Sequence, residues 1–167
     1  MMNRRSFLSS AVLAVPAWTA ERGEGDWRYY GGDAGAMRFS PLEQIHRGNV
    51  AKLKTAWTHR CGDAVARPAT TIECTPLVVD GVMYLTTARV QVRALKAATG
   101  EPLWNFNPLG DLPRGAGVNR GVSWFEDGKD RRVFAAVRYK LYCLHPGTGE
   151  PVRNFGDNGV VDLTAEF

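Results

Sequence analysis

The 167-residue sequence lacks several features that would assign it to a common class. No apolar stretch approaches the roughly 18 residues that a membrane-spanning helix needs. The three cysteines and three histidines do not have the spacing of a zinc site. Basic residues neither cluster nor alternate with aromatic residues, which argues against a nucleic-acid partner. The sequence from residue 73 onward also lacks helical periodicity.

The composition instead favours a folded domain rich in β-structure and turns. Hydrophobic residues make up 44% and charged residues 23% of the chain, as in globular proteins. The 18 glycines, 9 prolines and 5 tryptophans favour an all-β fold with many turns. Cys61, Cys74 and Cys143 allow one disulfide in an oxidising compartment, and their pairing is left open.

Residues 1–20, MMNRRSFLSSAVLAVPAWTA, have the layout of an export signal. Arg4 and Arg5 precede an apolar stretch, and small residues follow around the expected cleavage point. The RRSFL stretch is similar to a twin-arginine signal, although an ordinary signal remains an alternative. Removing this segment leaves a net charge of +2, because it takes away two arginines and no acid. We therefore expect a periplasmic or otherwise exported protein, with no transmembrane segment after signal removal.

Two similar segments of the chain lie 49 residues apart and form an internal repeat. TGEPLWNF at 99–106 and TGEPVRNF at 148–155 agree at six of eight positions. A repeat of this length is typical of propellers and solenoids.

The residues around the repeat indicate two propeller blades. Asp80-Gly81 is a two-residue hairpin turn between apolar runs, and Val90, Val92 and Ala94 then alternate with Gln91 and Arg93 as in a half-buried strand. The first predicted blade, 73–106, contains strands Leu77–Val79, Val82–Leu85, Val90–Ala94 and Pro102–Phe106. The second, 120–155, contains strands Val122–Phe125, Val133–Val137, Leu141–Leu144 and Val152–Phe155. Four short antiparallel strands in each repeat are the pattern of a propeller blade.

Residues 26–62 form a lead-in of different character. It includes a possible short helix at Pro41–Ile45 and a strand-like Leu53–His59 that could belong to an outer blade strand. Propellers close with four to eight blades. Two blades and a lead-in therefore predict either an incomplete chain or, as the less favoured alternative, a ring completed by assembly.

Glu73 and Arg120 occupy equivalent positions, each just before the first strand of its blade. Because first strands line the axis of a propeller, we expect the two side chains to converge at one rim. An arginine there suits an anionic ligand, since its planar fork donates two parallel hydrogen bonds to a carboxylate. The alternative is that the pair only ties neighbouring blades together.

Five stretches resemble the N-terminal part of the quinoprotein dehydrogenases, which use pyrroloquinoline quinone (PQQ) and calcium. They are DWRYYGGDAGAMRFSPLEQIHRGNVAKLKTAW, ECTPLVVDGVMYL, ALKAATGEPLWNF, VNRGVSWF and NFGDNGVVDL, which together cover nearly all of 26–163. The resemblance is strongest to the glucose-dehydrogenase branch. It implies that 26–163 is part of an eight-bladed propeller with PQQ on its axis.

The family pattern implies roles for several residues. Glu73, of the E-x-T-P stretch, and Arg120, of the N-R-G stretch, map onto cofactor contacts. Because PQQ carries three carboxylates, an ionised Glu73 beside it would need a proton, an intervening arginine or a ring N–H. Trp104 matches a tryptophan that docks onto the neighbouring blade, whereas Arg153 stands at that position in the second copy.

The resemblance further implies a periplasmic enzyme that oxidises a sugar or alcohol and passes electrons to a quinone or dye. The family's calcium ligands, catalytic aspartate and the tryptophan beneath PQQ lie further along than Phe167. We therefore expect an N-terminal fragment without catalytic or metal-binding residues, inactive alone. The alternative is a non-catalytic propeller, a scaffold or interaction protein of the cell envelope that does not bind PQQ.

Overall fold

The computed structural model describes residues 25–67, 69–110 and 117–164. The predicted export signal at 1–20 lies outside the described residues. In the part that is described, no helix is long and apolar enough to cross a membrane. The regular structure there consists of eight strands and one short 3-10 helix, Val50–Lys52.

The strands form two four-stranded sheets in which sequence neighbours pair antiparallel. The first sheet contains β1 (Leu77–Val79), β2 (Val82–Thr86), β3 (Val92–Lys96) and β4 (Pro102–Phe106). The second contains β5 (Ser123–Asp127), β6 (Asp130–Val137), β7 (Lys140–Leu144) and β8 (Val160–Asp162). This order is the one expected for two propeller blades, so the all-β prediction is confirmed.

One hydrophobic core joins the two sheets. The first sheet and the turn before β3 contribute Val79, Tyr84, Val90, Val92 and Ala94, and the second contributes Val133, Ala135, Val137, Tyr142 and Leu144. Aromatic pairs cross the seam, with ring centroids 5.7 Å apart for Tyr84–Trp124 and 5.3 Å apart for Phe106–Tyr142. The sheets therefore pack face to face, as neighbouring blades do.

Trp104 docks on the second sheet, as predicted. Its Nε1 donates a hydrogen bond to the Pro146 carbonyl oxygen at 2.7 Å. Its indole ring covers Gly149, where a Cβ atom would lie 2.4 Å from the nearest ring carbon. Only a residue without a side chain leaves room for the ring in this position.

Trp57 makes the same contact one unit earlier, which the sequence analysis missed. Its Nε1 donates to the Ala97 carbonyl oxygen at 3.1 Å, and its ring covers Gly100. Ala97 and Gly100 lie 49 residues before Pro146 and Gly149, so the two contacts share the repeat. The predicted strand Leu53–His59 is not a strand among the described residues, yet its tryptophan takes the place that Trp104 takes on β4.

Backbone hydrogen bonds and an ion pair also hold the lead-in against both sheets. Trp27 and Val78 exchange two backbone hydrogen bonds, of 2.7 and 3.0 Å, at the edge of β1. Arg28 then reaches Glu126 of the second sheet at 2.6 Å. Arg131 bridges Glu126 at 2.8 Å and Asp80 of the first sheet at 2.7 Å.

The fourth strand of the second sheet is not where the repeat placed it. Val152–Phe155 is a turn segment, and Val160–Asp162 pairs with β7 instead. Gly156, Asn158 and Gly159 all have positive φ, so the chain reverses there before it joins the sheet. The local likeness of TGEPVRNF to TGEPLWNF did not reveal this turn.

The predicted helix at Pro41–Ile45 was also wrong. The Asn49 side chain donates to the Gln44 carbonyl oxygen at 2.7 Å and accepts from the His46 N–H at 2.8 Å. These side-chain bonds occupy backbone groups that a helix would need.

We expect Gly149→Ala to destabilise the chain more than Gly81→Ala. Both glycines have similar φ, +73° and +76°, so both substitutions carry left-handed strain of about 1–2 kcal/mol. Only Gly149 faces the Trp104 ring, whereas nothing lies within 4 Å at Gly81. Overpacking should add about 1–3 kcal/mol at Gly149, measured by urea unfolding. Equal losses would show that the indole does not depend on this glycine.

The network around Glu126 predicts a pH dependence of stability. Burial opposes ionisation of Glu126, but hydrogen bonds from Trp124 and Arg131 and the charges of Arg131 and Arg28 lower its pKa below 4.5. A group whose pKa is lowered by folding stabilises the folded state at pH values above its unfolded pKa. That stabilisation is lost as the pH falls through the folded pKa. Denaturation at several acidic pH values should show a smaller acid-induced loss for Glu126→Gln than for wild type. Asp127→Asn is the control, and an unchanged profile in Glu126→Gln would contradict the role of the network.

Candidate functional site

Glu73 and Arg120 meet at one rim of the paired sheets, as the sequence predicts. Glu73 precedes β1 and Arg120 precedes β5, and Arg120 Nη2 lies 3.5 Å from Glu73 Oε2. The side chains are 40% and 78% exposed, respectively. An exposed pair of this kind contributes at most about 1 kcal/mol to stability, so it is a weak tie between the sheets.

Backbone contacts bring the Arg120 segment against the Glu73 segment. The Thr75 N–H donates to the Arg120 carbonyl oxygen at 3.1 Å. Gly121 follows with φ +124°, and a Cβ atom there would lie 2.9 Å from the Thr75 carbonyl oxygen. The glycine of the N-R-G stretch is therefore required by both conformation and space. This close approach places the arginine beside the acid.

The arginine has binding capacity left after pairing with Glu73. A guanidinium group carries five N–H donors in a planar fork, and only Nη2 of Arg120 faces the acid at 3.5 Å. Because most of the side chain faces solvent, its remaining donors are available to an incoming carboxylate. These residues fit an anionic ligand such as PQQ, although their role as cofactor contacts stays a prediction.

Asp63 organises the turn between β2 and β3. Its Oδ2 accepts hydrogen bonds from Thr87 Oγ1 and from the Arg89 backbone N–H. Its Oδ1 is buried and has no hydrogen-bond partner. Among described residues, no three His, Cys, Asp or Glu side chains gather into a metal-binding group.

The three cysteines are unpaired thiols in the structure. Cys74 lies within the site, where its Sγ accepts a hydrogen bond from the Thr86 N–H at 3.2 Å. Burial raises the pKa of the Cys61 thiol, which makes it a weaker nucleophile at neutral pH.

A cavity of about 390 Å³ lies between the sheets, at the opposite end of the strands from Glu73 and Arg120. Its lining includes Tyr84, Trp124 and the turn residues near Asp80 and Pro146. Burial, together with the charge of Asp80, raises the pKa of Tyr84 to about 12, so its hydroxyl stays protonated. Because its lining contains neither Glu73 nor Arg120, the cavity is separate from the acid–arginine pair.

Comparison with protein families gives one clear match. Residues 27–167 match the family model described as the β-propeller domain of PQQ glucose/ethanol/alcohol dehydrogenases. This range covers both sheets and nearly all of the lead-in.

Individual relatives are named as quinone or quinoprotein dehydrogenases. The chain is 45% identical over 133 residues to the dehydrogenase subunit of the quinone alcohol dehydrogenase of Gluconobacter oxydans, covering 77% of this chain and 16% of the relative. It is 34% identical over 162 residues to the quinoprotein glucose dehydrogenase of Escherichia coli, covering 85% and 20%. Both branches are represented, so the expected preference for the glucose branch stays a prediction.

Solved structures agree with the sequence comparisons. The quinohemoprotein alcohol dehydrogenase of Pseudomonas putida HK5 superimposes with a TM-score of 0.67 at 32% identity, over 85% of this chain and 19% of that one. That of Comamonas testosteroni gives 0.63 at 32% identity, over 74% and 18%. The chain thus spans about a fifth of the length of the proteins it matches.

We expect Arg120→Ala to change the free energy of unfolding by less than about 1 kcal/mol, because its ion pair is exposed. Gly121→Ala should be more destabilising, since its Cβ would meet the Thr75 backbone oxygen. Chemical denaturation of both variants tests this order. A loss above about 2 kcal/mol for Arg120→Ala would mean that the pair is mainly a structural tie.

Proposed function

Because the chain belongs to the family of PQQ-dependent glucose, ethanol and alcohol dehydrogenases with a β-propeller domain, we propose that it supplies two adjacent blades and one side of the PQQ site of an exported oxidoreductase. The observation that carries this proposal is the convergence of Glu73 and Arg120 at one rim. Both residues come from stretches that match the family pattern. Neither is buried by its partner, so the rim stays open to a ligand.

Arg120 is the residue that would bind PQQ most directly. PQQ carries three carboxylates, and a guanidinium recognises a planar carboxylate through two parallel hydrogen bonds. The 78% exposure of Arg120 leaves its outer N–H groups free to form them. When bound, PQQ supplies the two-electron acceptor for oxidation of a hydroxyl group.

Glu73 would orient the arginine and accept a hydrogen bond. With Arg120 Nη2 at 3.5 Å, the acid has a cation beside it that offsets repulsion from an anionic cofactor. Its second oxygen can accept an N–H from the cofactor ring. This arrangement combines two of the solutions that the sequence left open, the intervening arginine and the ring N–H.

The substrate is proposed to be a sugar or alcohol, with electrons passing to a quinone or dye acceptor. The relatives named above are glucose or alcohol dehydrogenases by name, and one name includes a quinone and two include a quinohemoprotein. We further propose that the calcium ligands and the catalytic base come from protein outside these two sheets. The chain alone is then expected to show no turnover with glucose and a dye.

A titration of PQQ against the chain tests the proposed site. Arg120→Ala should weaken binding by roughly ten- to a hundredfold, because a hydrogen bond to a charged group is worth about 1.5–3 kcal/mol. Lys129→Ala is the matched control, since it removes the same charge from the turn between β5 and β6 at the opposite end. Fluorescence quenching or calorimetry gives the dissociation constants of wild type and of the two variants.

Two results would count against the proposal. If wild type and Arg120→Ala bind PQQ equally, the arginine is not a cofactor contact. If wild type binds no PQQ in the presence or absence of calcium, the non-catalytic scaffold becomes the better explanation.

A further inference from the structure

The side-chain amide of Asn119 connects the two sheets directly beside Arg120. Its Oδ1 accepts a hydrogen bond from Thr86 Oγ1 at 3.2 Å, at the end of β2. Its Nδ2 donates to the Ala136 carbonyl oxygen at 2.6 Å, near the end of β6. One amide therefore links a strand of the first sheet to a strand of the second.

The same amide also fixes its own loop. Asn119 Oδ1 accepts a second hydrogen bond, from the Gly121 N–H at 2.6 Å. Arg120 lies between these two residues, and its carbonyl oxygen accepts the Thr75 N–H at 3.1 Å. The backbone of Arg120 is thus held on both sides and against the Glu73 segment.

Few contacts of its own fix the direction of the Arg120 side chain. With the described residues its side chain makes one ion pair, to Glu73 at 3.5 Å, and 78% of the side chain is exposed. A long exposed arginine samples many rotamers, so the direction of its first bond depends on the backbone below it. That backbone is set by the Asn119 amide.

The chemistry requires an amide at this position. The hydrogen bonds from Thr86 and Gly121 need an acceptor atom on the side chain of residue 119. The hydrogen bond to the Ala136 carbonyl oxygen needs a donor on the same short side chain, and an amide supplies both. Aspartate would keep the acceptor and lose the donor, and alanine would lose both.

We propose that Asn119 is a positioning residue, which couples the packing of the two sheets to the direction of the anion-binding arginine. This inference rests on the proposed function for the identity of the anion, PQQ. The positional part rests only on the contacts of Asn119 with Thr86, Ala136 and Gly121 and on the bond from Thr75 to Arg120.

The first test asks whether the Asn119 amide holds the Arg120 backbone against Thr75, and it needs no ligand. Amide hydrogen exchange of Asn119→Ala should show about tenfold faster exchange at Thr75, whose N–H bonds to Arg120. Exchange in β2 at Tyr84, away from the loop, should stay unchanged. Asn105→Ala is the control, because it removes an amide whose Oδ1 accepts from Arg93 at 3.0 Å on the outer strand.

The second test is a double-mutant cycle on PQQ affinity. Asn119→Ala should weaken PQQ binding about tenfold when Arg120 is present and by less than about twofold in the Arg120→Ala background. A residue that merely stabilises the fold would weaken binding equally in both backgrounds. Asn119→Asp, which keeps the size and the acceptor, replaces the alanine variant if that variant does not fold.

The outcomes separate this inference from the proposed function. Unchanged Thr75 exchange, or equal losses of affinity in both backgrounds, would overturn the positioning role. Faster Thr75 exchange with non-additive affinities would support it. If wild type binds no PQQ, the proposed function fails, and the exchange result alone decides whether Asn119 positions the arginine.

Discussion

The stacking of an indole ring on a glycine turn of the next unit is the contact on which the arrangement depends. Trp104 covers Gly149 and bonds to the Pro146 carbonyl oxygen. Because a larger residue at position 149 would collide with the ring, this close approach of the two sheets requires the glycine. The contact thereby helps to hold β4 against the second sheet, in the arrangement that brings Glu73 before β1 beside Arg120 before β5.

Most of the fold could be predicted because its signals are local. The apolar runs on either side of the Asp80-Gly81 turn identify β1 and β2, which pair as a hairpin in the structure. The exception is β8, because the repeat predicted the fourth strand at Val152–Phe155 and the strand lies at Val160–Asp162. The side chains of TGEPVRNF match a strand, but the positive-φ residues that follow reverse the chain, and pairing with β7 decides where the strand forms.

The site was predictable in part for the same reason. Glu73 and Arg120 were found because they occupy the same position in two copies of one unit. Asn119 was missed, since its partners lie 33 and 17 residues away and one is a backbone carbonyl. No pattern in a single sequence marks such a bond. The only signal was an asparagine in a loop, a residue that commonly bonds to backbone.

The segment Leu53–His59 has a consequence for handling the polypeptide. Trp57 anchors it, but its backbone forms no ladder with another strand of the described residues, and Leu53 is 57% exposed. Exposed apolar side chains on a segment without strand pairing favour association between chains. At high concentration the polypeptide is therefore prone to self-association along this segment, and lysines substituted at its exposed apolar positions would favour monodisperse preparations.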